Sequence, residues 1–168
     1  MTHSTDFRKI VLILGCNGFI GSNLVRMFSQ NGFITWGVQR KLRNEVVDES
    51  NRTIDYETLF SADFLHTLKE VPIVIHTAGN PRLYGSPLDD EVSLMNRLIW
   101  YLNSIKFKGT FILLSSNAAN ASFPIKSNAV TISNITKYGK HKIILENRLR
   151  AEARFNFFII RCPSVIAP

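Results

Sequence analysis

The sequence predicts an α/β protein: a doubly wound parallel sheet of about six strands, in one domain spanning residues 1–168. Three observations carry this. Apolar runs of strand length alternate with helical patterns from one end to the other, with no internal repeat and no linker. The first run, IVLIL, is apolar without interruption, as a strand covered on both faces would be. A chain of 168 residues is one domain long and buries roughly 70% of the surface its unfolded form exposes.

Taken in order, KIVLILG (9–15) is the first strand. A helix follows from about Ile20, with Ile20, Leu24, Met27 and Phe28 at helical spacing, and ends at Asn31 and Gly32 in a left-handed cap. FITWGVQ (33–39) is the second strand, and the polar stretch RKLRNEVVDESN leads to a short third strand near RTIDY. One helix over 58–69 precedes IVIH, the fourth strand. Residues 87–107 read as a long helix with acids in its first turn and a lysine at its end, the order the helix dipole favours. TFILLSS is the fifth strand, ITKYGKHKIILENRLRAEA a basic amphipathic helix, and NFFIIRC the sixth strand. Strands joined by helices of this length imply right-handed crossovers.

Apolar residues make up 45% and charged residues 20% of the chain, as in soluble globular proteins. No apolar run approaches the ~18 residues of a membrane span, and the N-terminal MTHSTDFRK lacks the pattern of a secretory signal. The expectation is a cytoplasmic chain with no membrane partner. Cys16 and Cys162 form no CxxC pair and the four histidines show no ligand spacing, so reduced thiols and no metal are expected. The net charge of +7 is concentrated between Lys126 and Arg161, where eight Lys and Arg face only Glu146 and Glu152. No aromatic ladder accompanies them, so a solvated helix face is expected and nucleic acid is not.

The loop that joins the first strand to the first helix places glycines at Gly15, Gly18 and Gly21. In a strand-to-helix turn, such glycines allow the tight turn, the close approach of a pyrophosphate and the packing of helix on strand. The helix N-terminus behind them offers amides to an anion. The spacing GxxGxxG, with GFIG inside it, resembles the extended short-chain dehydrogenases, the NAD(P)-dependent epimerase and dehydratase family of nucleotide-sugar enzymes. VIHTAG at 74–79, FILLSS, YGKHK and IIRCPSVIAP resemble that family's fourth strand, its serine strand, its YxxxK pair and its LRPxNVYGP segment.

The resemblance implies an NAD(P)-binding Rossmann fold and a cofactor site at Gly15, Asn17, Gly18, Phe19, Ile20, Gly21, Gln39, Arg40, Asp55, Tyr56, Thr77, Ala78 and Gly79, joined by Tyr138 and Lys142. Asp63 and Phe64 are the alternative to Asp55 and Tyr56 as the pair near the adenine. An acid at the end of the second strand would bind a bare adenosine ribose. This chain instead has Gln39, then Arg40, Lys41 and Arg43. A guanidinium pairs with phosphate as a fork, so NADP is expected, with NAD as the alternative.

Tyr138 and Lys142 are four residues apart and share a helix face. The expectation is that the lysine's charge favours the phenolate and makes Tyr138 a general base or acid for a sugar hydroxyl or ketone, with Ser116 on the same oxygen. Asn117 and Ala118 replace the Asp-Glu pair of the family's 4,6-dehydratases, which leaves an epimerase or a reductase. Other departures are Ser93 for a helix asparagine, Asn120 and Ala121 for a Tyr-Gly pair, and Cys162, Ser164, Ile166 and Ala167 in the last motif. The family continues into a smaller C-terminal substrate domain that this stretch of sequence does not include. The expected partners are a nucleotide-sugar substrate and a complementary C-terminal fragment or a second copy; a non-catalytic NADP-binding module is the alternative function.

Overall fold

The protein is described from a computed structural model that covers residues 9–40, 51–79, 88–119 and 137–163. Lys41, Arg43, Asn120, Ala121, Lys126, Ser164, Ile166 and Ala167, all singled out above, lie outside the described residues.

The elements run β1 (Ile10–Leu14), α1 (Phe19–Gln30), β2 (Ile34–Gln39), β3 (Asn51–Asp55), α2 (Tyr56–Leu59) and α3 (Ala62–Glu70). They continue with β4 (Ile73–His76), α4 (Leu88–Ser104), β5 (Thr110–Ser116), a 3-10 turn (Asn117–Ala119), α5 (Lys137–Glu152) and β6 (Asn156–Cys162). The strands form one sheet in the order β3-β2-β1-β4-β5-β6, and every neighbouring pair is parallel. The chain winds outward from β1 to β3, crosses back, and winds outward again from β4 to β6. The order therefore reverses between β1 and β4, the position at which ligands of open α/β sheets bind.

Helices cover both faces, as a parallel sheet requires. In β1 every residue is buried, and alternation sorts the side chains between two cores. Ile10, Leu12 and Leu14 pack with Leu68 of α3, Met95, Leu98 and Leu102 of α4, and Leu145 and Leu149 of α5. Val11 and Ile13 pack on the other face with Leu24, Val25 and Phe28 of α1. The doubly wound α/β reading of the sequence is what the sheet shows.

The cap at the end of α1 also follows the sequence. Gly32 takes the left-handed φ of +75°, its N–H donates to the Ser29 carbonyl at 3.1 Å, and the Phe33 N–H donates to the Phe28 carbonyl at 3.0 Å. The rings of Phe28 and Phe33 meet edge to face at 5.2 Å, the apolar contact that accompanies this cap.

Three readings of local structure need correction. The helix expected over 58–69 is two helices, because two side chains start helices six residues apart. The Asp55 carboxylate accepts the Thr58 N–H at 2.8 Å, and the Ser61 hydroxyl accepts the Phe64 N–H at 3.2 Å. The Tyr101 hydroxyl donates to the Ser61 carbonyl at 2.8 Å and holds the break. The lysine expected within the end of α4 lies past it: Lys106 adopts φ +53°, and its N–H donates to the Asn103 carbonyl at 3.0 Å. Lys106 thus fills a left-handed cap position that usually selects glycine. Finally, α5 lacks a purely apolar inner face. His141, Lys142 and Glu146 are buried on it beside Leu145 and Leu149, while Ile144 is 44% exposed.

Candidate functional site

The glycine loop leaves β1 in a conformation open to glycine. Gly15 has φ +82°, and a Cβ on it would sit 2.7 Å from the Ala78 nitrogen. A Cβ on Gly21 would collide with the Gly15 carbonyl oxygen, so the first turn of α1 lies directly on the loop. Thr77 ties the loop to β4: its N–H and its hydroxyl both donate to the Leu14 carbonyl, at 2.9 Å and 2.7 Å. Gly18 is the N-cap of α1 and supplies no side-chain acceptor, and the first turn holds no acid. The first-turn amides of α1 are therefore open to an anion.

Beside this loop is a cavity of about 530 Å³ lined by Gly15, Asn17, Gly18, Gln39, Arg40, Tyr56, Thr77, Ala78 and Gly79. Its size lies within the range of small-molecule and cofactor sites, about 300–1,000 Å³. All nine lining residues belong to the set expected from the sequence. The Asn17 amide donates to the Gln39 carbonyl oxygen, which locks together the loop and the end of β2. Gln39 is buried and Arg40 exposed.

Of the other expected cofactor residues, Gly21 acts by packing, Ile20 is half-buried, and Phe19 is 51% exposed. Asp55 does not line the cavity, because its carboxylate caps α2; the bond from the Thr58 N–H holds its pKa below the ordinary value. Tyr56 does line it. The alternative pair is less suited: Asp63 is exposed on α3, and the Phe64 ring packs on Trp36 at 5.4 Å.

Ser116, Tyr138 and Lys142 come together at the ends of β5 and α5. Alternation along β5 buries Ser115 and leaves Ser116 half-buried at the strand end. Ser116 shares a side-chain hydrogen bond with Tyr138, and the Lys142 Nζ lies 5.5 Å from the Tyr138 ring centre. A Cβ on Gly79 would stand 2.9 Å from the Lys142 Nζ, so the lysine reaches the cavity wall. The expected phenolate is corrected by the structure. Burial raises the Tyr138 pKa above its usual value, Glu91 and Cys162 add to this, and the bond to Ser116 only partly opposes it. Tyr138 holds its proton.

The sequence reading missed a polar network behind this trio. Glu146 accepts from the Ser115 hydroxyl at 2.6 Å, from the Arg161 guanidinium at 2.9 Å and 2.7 Å, and from Arg150 at 3.1 Å. Glu91 and the His141 Nε2 are 2.5 Å apart. Glu91 was visible only as one of several acids at a helix start, and nothing in a linear pattern pairs it with His141. Among the described residues, no group of three or more His, Cys, Asp or Glu side chains could hold a metal ion. No helix among them is long and apolar enough to cross a membrane.

His76, at the end of β4, is fully buried, and neither ring nitrogen has a hydrogen-bond partner among the described residues. Burial, with the Lys142 charge second, pulls its pKa from 6.5 down to about 4. The unfolded chain therefore binds a proton that the folded chain refuses. The neutral ring's contribution to stability is complete above pH 6.5 and is lost as the pH falls toward 4, by roughly 3 kcal/mol in all. Denaturant unfolding between pH 7.5 and 4 should show this slope in the wild type and a shallower one in His76→Leu. Parallel curves would exclude it.

No curated protein matches the chain by sequence. Solved structures match its fold: the NAD-dependent NDP-hexosamine 5,6-dehydratase TunA, involved in tunicamycin biosynthesis, is 21% identical, with a TM-score of 0.67, over 91% of this chain and 54% of its own. MoeE5, solved in complex with UDP-glucuronic acid and NAD, is 22% identical at a TM-score of 0.63, over 90% and 53%. The UDP-N-acetylglucosamine 4-epimerase from Bacillus cereus is 16% identical at 0.63, over 90% and 52%. The chain thus spans about half the length of these structures. A family model described as the NAD dependent epimerase/dehydratase family matches residues 11–168. By that match, carried over almost the whole sequence, the chain belongs to the NAD-dependent epimerase/dehydratase family.

Proposed function

We propose that this chain is the cofactor-binding domain of an NADP-using nucleotide-sugar epimerase or keto-sugar reductase, with Ser116, Tyr138 and Lys142 acting on the sugar oxygen. The observation that carries the reading is the approach of the Lys142 Nζ to Gly79. It joins an acid-base pair to the wall of a cavity framed by the glycine loop. Gly15, Asn17, Gly18 and the first amides of α1 would hold a pyrophosphate; Gln39, Arg40 and Tyr56 the adenosine; Thr77, Ala78 and Gly79 the middle of the cofactor; and Lys142 the nicotinamide ribose. Bound there, a nicotinamide dinucleotide supplies hydride transfer.

The chain's own residues handle the proton. Tyr138 in its resting, protonated form is suited to donate to a carbonyl oxygen as that oxygen gains charge, with the Ser116 hydroxyl holding the same atom in line. In the opposite direction, Tyr138 takes the proton of the sugar hydroxyl. The substrate's remaining contacts are assigned to a complementary C-terminal part, in the same polypeptide or a separate fragment, or to a second copy. The fit of solved structures that work on or hold nucleotide sugars over about half their length supports this division.

The preference for NADP rests on the end of β2. Gln39 is neutral and its carbonyl is engaged by Asn17, no carboxylate lines the cavity among the described residues, and Arg40 borders it. A fork-like guanidinium contact to a 2′-phosphate contributes about 1.5–3 kcal/mol. Arg40→Ala should therefore weaken NADPH binding about 10- to 100-fold and NADH binding by less than about threefold, read by nicotinamide fluorescence. Equal losses for both would remove the preference. Turnover of a UDP-sugar in the presence of NADP tests the activity itself.

A further inference from the structure

We propose that Glu146 is a positioning residue for this site: it sets where the stripe of α5 that carries Tyr138 and Lys142 stands against Ser116 at the end of β5. The inference rests on the catalytic reading of those three residues given above, and deepens it.

Tyr138, Lys142 and Glu146 follow one another at four-residue spacing on α5, which runs Lys137–Glu152, so they share one side of the helix. Eight residues of helix span roughly 12 Å. The stripe thus leads from the phenol, past the lysine, to the carboxylate, and at the carboxylate the helix is tied to the sheet. Glu146 is 1% exposed. Its Oε1 accepts from the Ser115 hydroxyl at 2.6 Å and from the Arg161 Nε at 2.9 Å, and its Oε2 accepts from the Arg161 Nη2 at 2.7 Å. Ser115 and Arg161 stand opposite each other in the parallel ladder of β5 and β6. One carboxylate therefore joins α5, β5 and β6 at a single register position.

That position adjoins the site. The next pair in the ladder is Ser116 and Cys162, and Ser116 acts on Tyr138. Leu145 and Leu149 also hold α5 to the sheet, in the core shared with Phe111 and Leu113. Apolar contacts are non-directional, so they tolerate a small shift of the helix along or about its axis. Hydrogen bonds, with their narrow range of distance and angle, do not. A slip of one residue would move Tyr138 by about 1.5 Å and turn it by about 100° around the helix axis, out of reach of Ser116. The bond from Arg150 is of a different kind. It lies within α5, four residues further along, and cannot fix the helix against a strand.

The test reads this geometry without cofactor or turnover. In the full chain, labelled selectively in tyrosine and serine, the nuclear Overhauser contact between the Tyr138 ring protons and the Ser116 Hβ protons is assigned by its loss in Tyr138→Phe and in Ser116→Ala. Ser115→Ala cuts the bond to β5 and should abolish the contact. Ser115→Thr, which keeps a hydroxyl, should retain it, and so should Arg150→Ala. A contact unchanged in Ser115→Ala would overturn the proposal. Its loss in Ser115→Thr or Arg150→Ala as well would also overturn it, by showing that any change near Glu146 displaces the helix. If Ser115→Ala does not fold, Glu146→Asp carries the same test with the same two outcomes, because it keeps the charge and shortens the reach to Ser115. Where a sugar is turned over, Ser115→Ala should lower kcat at least about tenfold, and Arg150→Ala should not. A wild-type chain without the contact refutes the grouping of Ser116 with Tyr138, and this proposal with it. A chain that loses the contact in Ser115→Ala but turns over no sugar refutes the catalytic reading alone.

Discussion

Tyr138→Phe should abolish turnover of the nucleotide sugar while leaving NADPH affinity within about twofold. The substitution removes one oxygen and keeps the ring that packs beside Lys142, whose Nζ lies 5.5 Å from the ring centre. In the proposed mechanism the lost atom is the proton donor to the substrate oxygen, and it is the atom on which Ser116 acts. A positioned acid or base contributes typically 10²–10⁴ in rate, and the variant should lose that much. Because burial holds the Tyr138 pKa above its usual value, reduction should stay fast up to the raised pKa and decline only above it. Oxidation, which needs the deprotonated form, should rise with pH through the same range. Full activity in Tyr138→Phe would refute the assignment, and steady-state rates in both directions across pH 6–10 would check the sign.

The largest effect on stability is expected at Glu146. Its carboxylate is 1% exposed and is the shared acceptor for Ser115, Arg150 and Arg161. Replacing one member of a buried ion pair costs about 3–5 kcal/mol, because the other charge is left uncompensated. Arg161 and Arg150 keep some access to water, so Glu146→Gln should fall at the low end, about 3 kcal/mol. That corresponds to a fall in Tm of roughly 6–12 °C for a chain of this size. Arg150→Ala, whose side chain is 49% exposed, should cost less than about 1 kcal/mol. Burial alone would raise the Glu146 pKa, but the bonds from Arg161 and Ser115 more than offset this and hold it below the ordinary carboxylate value. Its contribution is thus present above the unfolded pKa of a glutamate, and is lost as the pH falls through the lower folded value. A Glu146→Gln protein as stable as the wild type would contradict this account.

The two cores explain why so much of the fold was legible. Continuous apolar runs such as Ile10–Leu14 can only be strands buried on both sides, and the turn chemistry of Asn31 and Gly32 is local to a few residues. The same holds for the cavity beside the glycine loop, whose nine lining residues sit at or just past the C-terminal ends of β1, β2, β3 and β4. A doubly wound sheet brings strand ends of this kind together whatever the side chains between them. What escaped were features set by capping competition or by contacts between distant elements. Asp55 looked like an adenine residue but is a helix cap, because its carboxylate finds the Thr58 N–H three residues away before it can find a ligand. Lys106 occupies a glycine position that composition alone does not mark.

Alone, the sequence determined the fold class, the glycine loop, and the shared helix face of Tyr138 and Lys142, since each depends on periodicity or on spacing within a few residues; Ser116 was added to that pair only by the family resemblance. Only the tertiary structure decided how those groups are charged. Tyr138 keeps its proton because the packed site removes it from water. Glu146 is fixed by Arg161, fifteen residues away on the neighbouring strand. Glu91 meets His141 across fifty residues of chain. Protonation depends on burial and on the distances between charges, and both exist only once α4, α5 and the sheet have packed.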